Sequence, residues 1–295
     1  MASASMEVDA DSKQQQQRGR KKEEGADDVM ARLRRPDTGA RMYQARGMAR
    51  PPDPHLTGLD VQIEQTWDGQ PIDHPPYKFH LQWLFQRIRG KPHKRAVKVT
   101  MSGPLFEEPD SPDEMPGICP NLWDYEVVEL FFANDRDQYL EVEVGPHGHW
   151  LVLLLNGVRQ PFNKGQDLEL AVQNTWTGEG GWESTFEIPL AYFPPNVTKF
   201  NAFAIHGFAD SRVYEAAFPV TDGSFEEADF HRLQFYKRFD VRKIIPEGFN
   251  DGTFNDNLYG NLWEKALPTV PPPPKQPPTA AVPPTSQLPA QPQQT

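Results

Sequence analysis

Through its middle third the chain alternates apolar and polar residues with a period of two. In YKFHLQWLF, Tyr77, Phe79, Leu81, Trp83 and Phe85 fall on one side, and Lys78, His80, Gln82 and Leu84 on the other. RAVKVTM sets Val97, Val99 and Met101 against Lys98 and Thr100. YLEVEV sets Leu140, Val142 and Val144 against Tyr139, Glu141 and Glu143. Successive side chains of a strand point to opposite faces, so this pattern predicts half-buried strands. HWLVLLLNG is apolar on both sides and predicts a central strand covered on both faces. LELAV, GWESTFEIPL, FNAFAIHGF and RVYEAAFPV continue the series, with turn signals at WDGQP, GPHG, NGVRQP and TGEGG. Helical periodicity is confined to LAYFPP and to FHRLQFYKRF, residues 230–239. Many short strands without strand–helix–strand alternation predict an all-β chain. The expected fold is a single antiparallel β-sandwich, jelly-roll or immunoglobulin-like, with one or two short helices.

Glutamates interrupt this pattern. In DYEVVELFF, Glu129 shares a face with Tyr125, Val127 and Phe131, and Glu126 shares the other with Val128, Leu130 and Phe132. Whichever face turns inward therefore carries an acid, and an uncompensated buried carboxylate is expensive. One of the two is expected to find a partner: a backbone turn, a basic side chain, a metal or a ligand. Glu141 and Glu143 share their face with Tyr139, and that face is expected to be solvated.

Composition divides the 295 residues into three parts. Residues 1–57 carry 11 Lys+Arg and 9 Asp+Glu with few large apolar side chains, which predicts a disordered mixed-charge extension. Residues 268–295 are proline-rich with one charge, Lys275, and predict a disordered, polyproline-prone tail. Of the chain's 30 basic and 41 acidic residues, the remainder leave the sandwich, residues 58–267, with net −14. That charge argues against nucleic acid or an anionic membrane as its partner. No run approaches the ~18 apolar residues of a membrane span, and none at the N-terminus resembles a signal peptide. The single cysteine, Cys119, excludes an intrachain disulfide framework. A cytoplasmic protein is expected, with RGRKK as a candidate nuclear address.

The blocks LWDYEVVELFF and YLEVEVGPHGHWLVLLL resemble the heart of family-nine carbohydrate-binding modules and the related DOMON-type sandwiches. The matching positions are Trp123, Asp124, Val128 to Phe132, Tyr139, Glu141, Glu143 and Gly148. A second resemblance, to an uncharacterised eukaryotic protein family of that sandwich class, rests on longer strings. These are IEQTWDG, LWDYEVVELFF, QYLEVEVGPHG, YFPPNVTKFNAFAIHG, RVYEAAFP and DFHRLQFY. The resemblance implies a carbohydrate-binding-module-like fold; for that second family it implies no activity. No cofactor is predicted, and calcium is implied by the resemblance alone.

A sugar site needs aromatic faces for pyranose C–H surfaces and polar groups for the hydroxyls. Trp123, Asp124, Glu126, Glu129, Tyr139, Glu141, Glu143, His147, His149 and Trp150 are the candidate ligand-binding residues on this reasoning. Asp124 is expected to hold its loop, and Glu126 or Glu129 to order the sheet edge. His147-Gly148-His149 with Glu141, Glu143 and His206 offers a metal set by residue type, although the flanking Pro146 makes the segment a turn. Glu141 and Glu143, two residues apart on one strand, stand ~6–7 Å apart by strand rise alone, a spacing that does not identify a glycosidase pair. GxSxG and GxxxxGK[ST] are absent, and no catalytic residue is assigned. The leading expectation is a non-catalytic binding domain for a carbohydrate-like small polar ligand. A protein-interaction scaffold is the alternative, its PPPPKQPP tail offering PxxP spacing to an SH3 or WW partner. A glycoside-processing or metal-dependent enzyme comes last.

Overall fold

A computed structural model describes residues 54–91, 93–224, 226–246 and 259–266. From His55 onward they belong to one compact unit, His55–Thr295. The other unit, Met1–Pro54, lies outside the described residues except for Pro54, and so does the proline-rich tail.

Thirteen strands form two antiparallel sheets among the described residues. The first contains β1 (Leu59–Ile63), β3 (Tyr77–Gln86), β4 (Lys94–Pro104), β9 (Val172–Thr177) and β10 (Gly181–Pro189), in the order β1-β3-β4-β10-β9. The second contains β2 (Gln65–Thr66), β5 (Val127–Ala133), β6 (Gln138–Val144), β7 (Trp150–Asn156) and β8 (Pro161–Asn163). It is completed by β11 (Lys199–His206) and β12 (Val213–Ala216), in the order β2-β12-β11-β5-β6-β7-β8, with β13 (Lys237–Arg238) on one end of β11. The fold is the all-β sandwich that the alternation predicts.

The inner faces interdigitate where the period-two pattern places apolar residues. Val97, Val99 and Met101 of β4 and Phe79 and Leu81 of β3 meet Val128, Leu130 and Phe132 of β5 and Leu140 and Val142 of β6. Glycine is required where β4 passes under Tyr77, because a Cβ on Gly103 would lie 2.0 Å from that ring. The apolar β7 is covered on both faces as expected, Val152 and Leu154 on one and Leu151 and Leu155 on the other. It is penultimate rather than central, with only the three-residue β8 beyond it.

One expectation is overturned. The face carrying Tyr139, Glu141 and Glu143 is not wet: Glu141 is 3% exposed and Glu143 fully buried. A second apolar cluster roofs the outer side of the second sheet, with Trp67, Leu122, Val220, Phe230, Leu233 and Tyr236 packed over it. The short helical stretch expected within residues 230–239 forms a single 3-10 turn. That turn, Leu233–Phe235, leads into β13, and Phe230, Leu233 and Tyr236, three residues apart, all turn onto the sheet. That spacing suits a three-residue turn better than 3.6-residue helical geometry. LAYFPP likewise makes only a 3-10 turn, Leu190–Tyr192. Among the described residues no helix is long and apolar enough to cross a membrane.

Candidate functional site

Strand alternation puts Ile205 of β11, Glu129 of β5, Glu141 of β6 and Leu153 of β7 on the outer face of four neighbouring strands. These four form the floor of a cleft of about 270 Å³. Its rim comes from three other segments: Trp123 in the 3-10 turn Leu122–Asp124, Arg159 before β8, and Phe230 and His231 in the covering segment. Tyr214 of β12 closes one side. Trp123 is 40% exposed and Tyr214 39%, so both present open rings.

The rim is held by named bonds. Arg212 donates from Nη1 to the carbonyls of Asp124 (3.0 Å) and Gly207 (3.1 Å), and from Nη2 to the Trp123 carbonyl. One guanidinium thus ties the Trp123 turn to the end of β11. The tight corner there needs a glycine: Gly207 has φ +76°, and a Cβ would meet the Ser211 carbonyl oxygen at 2.2 Å. On the other side, Arg159 N–H donates to the Tyr139 hydroxyl at 2.9 Å, and that hydroxyl meets His231 Nδ1 at 2.8 Å. Burial lowers His231 to about 4, so its ring is neutral. With Nδ1 accepting from Tyr139, the ring proton sits on Nε2. Arg159 also pairs with Asp229 at 2.9 Å, joining the β7–β8 turn to the covering segment.

The floor is unusual in its acids. Glu129 and Glu143 lie directly opposite each other across β5 and β6, and Glu141 is two residues along. Burial raises Glu129 and Glu143 well above the usual carboxylate range, and like charges nearby raise them further. Burial lifts Glu141 to about 7, opposed by Glu143 and by the Arg159 guanidinium. Glu141 and Glu143 lie close enough to influence one proton. Even so, Glu141 Oε2 and both oxygens of Glu143 lack an aligned hydrogen-bond partner.

The ten sequence candidates do not converge. Trp123, Glu129 and Glu141 line the cleft, Tyr139 holds its wall through His231 and Arg159, and Glu143 is buried beneath it. Glu126 points elsewhere: its carboxylate accepts from Phe106 N–H (3.1 Å) and Glu107 N–H (2.8 Å), a structural clamp. Asp124 has an exposed side chain, and its backbone carbonyl is what Arg212 holds. His147 and His149 line a different, open hollow with Trp176, where His149 Nε2 meets the Glu114 carbonyl at 2.9 Å. Trp150 is half-buried against the inner core. Sequence reasoning missed Arg159, Arg212, Tyr214, Phe230 and His231. The block DFHRLQFY held the last two, but a helical reading hid their role.

Fold and cleft together define a β-sandwich with an acidic, aromatic-rimmed hollow on one sheet. Relatives specify it further. The mouse UPF0462 protein C4orf33 homolog is 45% identical over 194 residues, covering 64% of this chain and 95% of its own length. The human UPF0462 protein C4orf33 is 46% identical over 194 residues, covering 92% of its length, and the zebrafish (Danio rerio) homolog is 39% identical over 197. The chain belongs to the UPF0462 family. No family model matches it. Among solved structures, a putative carbohydrate-binding protein from Bacteroides uniformis has TM-score 0.42 at 16% identity, covering 68% of this chain and 90% of that one. A family 9 carbohydrate-binding module from Caldicellulosiruptor kristjanssonii in complex with cellotriose has TM-score 0.35 at 16% identity, covering 55% and 75%.

Proposed function

We propose that the cleft binds a small carbohydrate or related polyol, and that the protein is a binding module rather than a catalyst. The observation that carries this reading is the acid floor of the cleft, where the buried Glu141 carboxyl meets another acid, Glu143, and has no basic or backbone partner at Oε2. An unpaired buried polar atom costs about 1–3 kcal/mol, which a donor on a ligand recovers. With Glu141 raised to about 7 and Glu129 well above its usual range, the floor acids keep their protons to higher pH than exposed carboxyls do. A carboxylic acid donates and accepts, as a sugar hydroxyl does, so the two groups are complementary without net charge. Trp123 and Tyr214 offer ring faces to C–H surfaces, and Arg159 adds donors at the rim. A volume of about 270 Å³ falls just below the roughly 300–1,000 Å³ of common ligand pockets and suits a mono- or disaccharide.

Glycoside hydrolysis fits less well. It needs one protonated acid and one ionised carboxylate across the bond, and here the same burial raises both cleft acids.

The test is a glycan array with the full-length chain, followed by calorimetric titration of the hits. Saturable binding of a mono- or disaccharide is expected. Trp123→Ala and Glu141→Leu should weaken it at least about tenfold while the circular dichroism of the domain is unchanged. A blank array with folded protein, or hits indifferent to both substitutions, overturns the reading.

A further inference from the structure

Away from the cleft, three side chains from distant parts of the chain meet at one point. His74 lies in the loop between β2 and β3, His206 ends β11, and Glu215 sits on β12. His74 Nε2 is 2.8 Å and His206 Nε2 is 2.7 Å from the same oxygen, Glu215 Oε1. All three donor atoms lie within 4.8 Å of one another. Glu215 is fully buried and His206 is 6% exposed, and the His74 side chain is 12% exposed. Solvent screening therefore does little for the charges gathered there.

The protonation pattern is informative. His74 Nδ1 faces the Pro75 carbonyl oxygen at 3.0 Å, and a carbonyl can only accept. Nδ1 therefore carries a proton, which leaves Nε2 as the ring atom placed to ligate a metal. Nε2 points at a carboxylate oxygen, a contact that either an imidazolium proton or a cation between the two atoms completes. An imidazole whose far nitrogen donates to a backbone carbonyl is the usual arrangement of a metal-ligating histidine. Glu215 Oε2 is also buried without a partner, which leaves a second oxygen for the same cation.

The surroundings hold this arrangement in place. The Phe106 ring stacks on His206 with centroids 3.7 Å apart and planes 3° from parallel, and His74 packs edge-on to both. Glu126 fixes Phe106 by accepting its backbone N–H, and brings a second carboxylate into electrostatic reach of His206. The Tyr77 hydroxyl is buried without a partner, within reach of the charges of Glu126 and Glu215. Two imidazoles and two carboxyl groups gathered out of solvent make a donor set of the kind that holds a divalent cation.

We propose that His74, His206 and Glu215 bind a zinc-class divalent transition-metal ion. Two imidazole nitrogens and one carboxylate match zinc, whereas calcium takes oxygen ligands almost exclusively. Bonds of about 2.0–2.2 Å place ligand atoms about 3.3 Å apart, roughly half an ångström wider than each imidazole nitrogen stands from Glu215 Oε1. The loop position of His74 allows that movement. Three protein ligands leave a fourth position for water. The site joins the β2–β3 loop to the β11–β12 hairpin, so the ion would act as a clasp at one end of the sandwich.

The test is zinc titration of the chelator-treated full-length chain, with metal content and thermal midpoint as readouts. Co²⁺ serves as a spectroscopic probe of imidazole coordination. One ion per chain is expected, with a midpoint raised by several degrees and visible Co²⁺ bands of nitrogen and oxygen ligation. His74→Asn removes one imidazole ligand while leaving a polar side chain in the loop, and it should weaken zinc at least about 100-fold. Glu215→Gln should do the same. Calcium in excess should leave bound zinc in place. Failure of the folded wild-type protein to take up zinc overturns the proposal and leaves a buried imidazolium–carboxylate network. Undiminished binding by His74→Asn also overturns it, as does loss of the ion in His147→Asn, which would move it to the 147–149 turn.

Discussion

At Glu143 both carboxyl oxygens are buried without an aligned partner, and Glu129 lies directly across the sheet from it. The hydrogen-bonding neighbour of Glu143 is Glu141, itself an acid, so the Glu143 carboxyl is an electrostatic cost in the free protein. Replacing a buried, poorly compensated acid with an apolar side chain of similar volume is commonly neutral or stabilising. Glu143→Met should therefore raise stability by about 1–3 kcal/mol at pH 8, read as a higher urea midpoint with unchanged slope. A lower midpoint would mean that the acid is satisfied in solution by something that reaches beneath the cleft. Glu126 shows the opposite case. It is as buried as its neighbours, but two backbone N–H groups meet its carboxylate, and it works as a clamp on the 106–107 loop.

Among the elements, the turn Leu122–Asp124 depends most on a single partner. Its N-cap, Asn121, sits at φ 61° with no side-chain cap, so the turn draws little support from its own sequence. Arg212, 87 to 89 residues away, supplies it by donating to the carbonyls of Trp123, Asp124 and Tyr125. Hydrogen bonds from a charged donor contribute about 1.5–3 kcal/mol. Arg212→Met should cost about 2 kcal/mol of stability and speed amide exchange across residues 122–125. Ligand affinity should fall with it, because Trp123 loses its fixed position. Exchange at wild-type rates in that turn would show that Arg212 does not hold it. The covering segment around Phe230 belongs to the same scale. It reaches the sheet because Phe203 stacks on Phe230 at 4.0 Å and because Asp229 pairs with Arg159.

For the whole molecule the acids give stability a definite pH dependence. The folded state holds protons on Glu129, Glu141 and Glu143 that the unfolded chain releases from about pH 4.5 upward. A raised carboxyl value therefore lowers stability as pH rises toward the folded value. His231 acts in the other direction: its value is lowered from 6.5 to about 4, so its contribution grows with pH up to about 6.5 and is then constant. Below pH 6.5 the two effects oppose each other; above it the acids act alone. Stability should therefore fall between pH 6.5 and 8.5 by at least about 1 kcal/mol, and Glu129→Gln combined with Glu143→Gln should flatten the slope. A profile flat or rising over that range would show that the cluster ionises without cost.

Much of this protein is written locally. Period-two alternation at Val97, Val99 and Met101 or at Leu140, Val142 and Val144 determined which residues form the inner faces, because the geometry of a strand leaves no other choice. The same alternation showed that one of Glu126 and Glu129 needed a partner. Alternation cannot say what covers a sheet's outer face. Glu141 and Glu143 looked solvated because the residues roofing that face, Phe230, Leu233 and Tyr236, lie some 90 positions further along. The cleft, with Trp123, Arg159, Tyr214 and His231 from separate segments, exists only once β12, β11, β5, β6 and β7 stand side by side. His74 and Glu215 are 141 residues apart and meet at 2.8 Å for the same reason. Local pattern determined the strands and the inner core, while long-range pairing alone decided which acids were buried and which side chains faced one another.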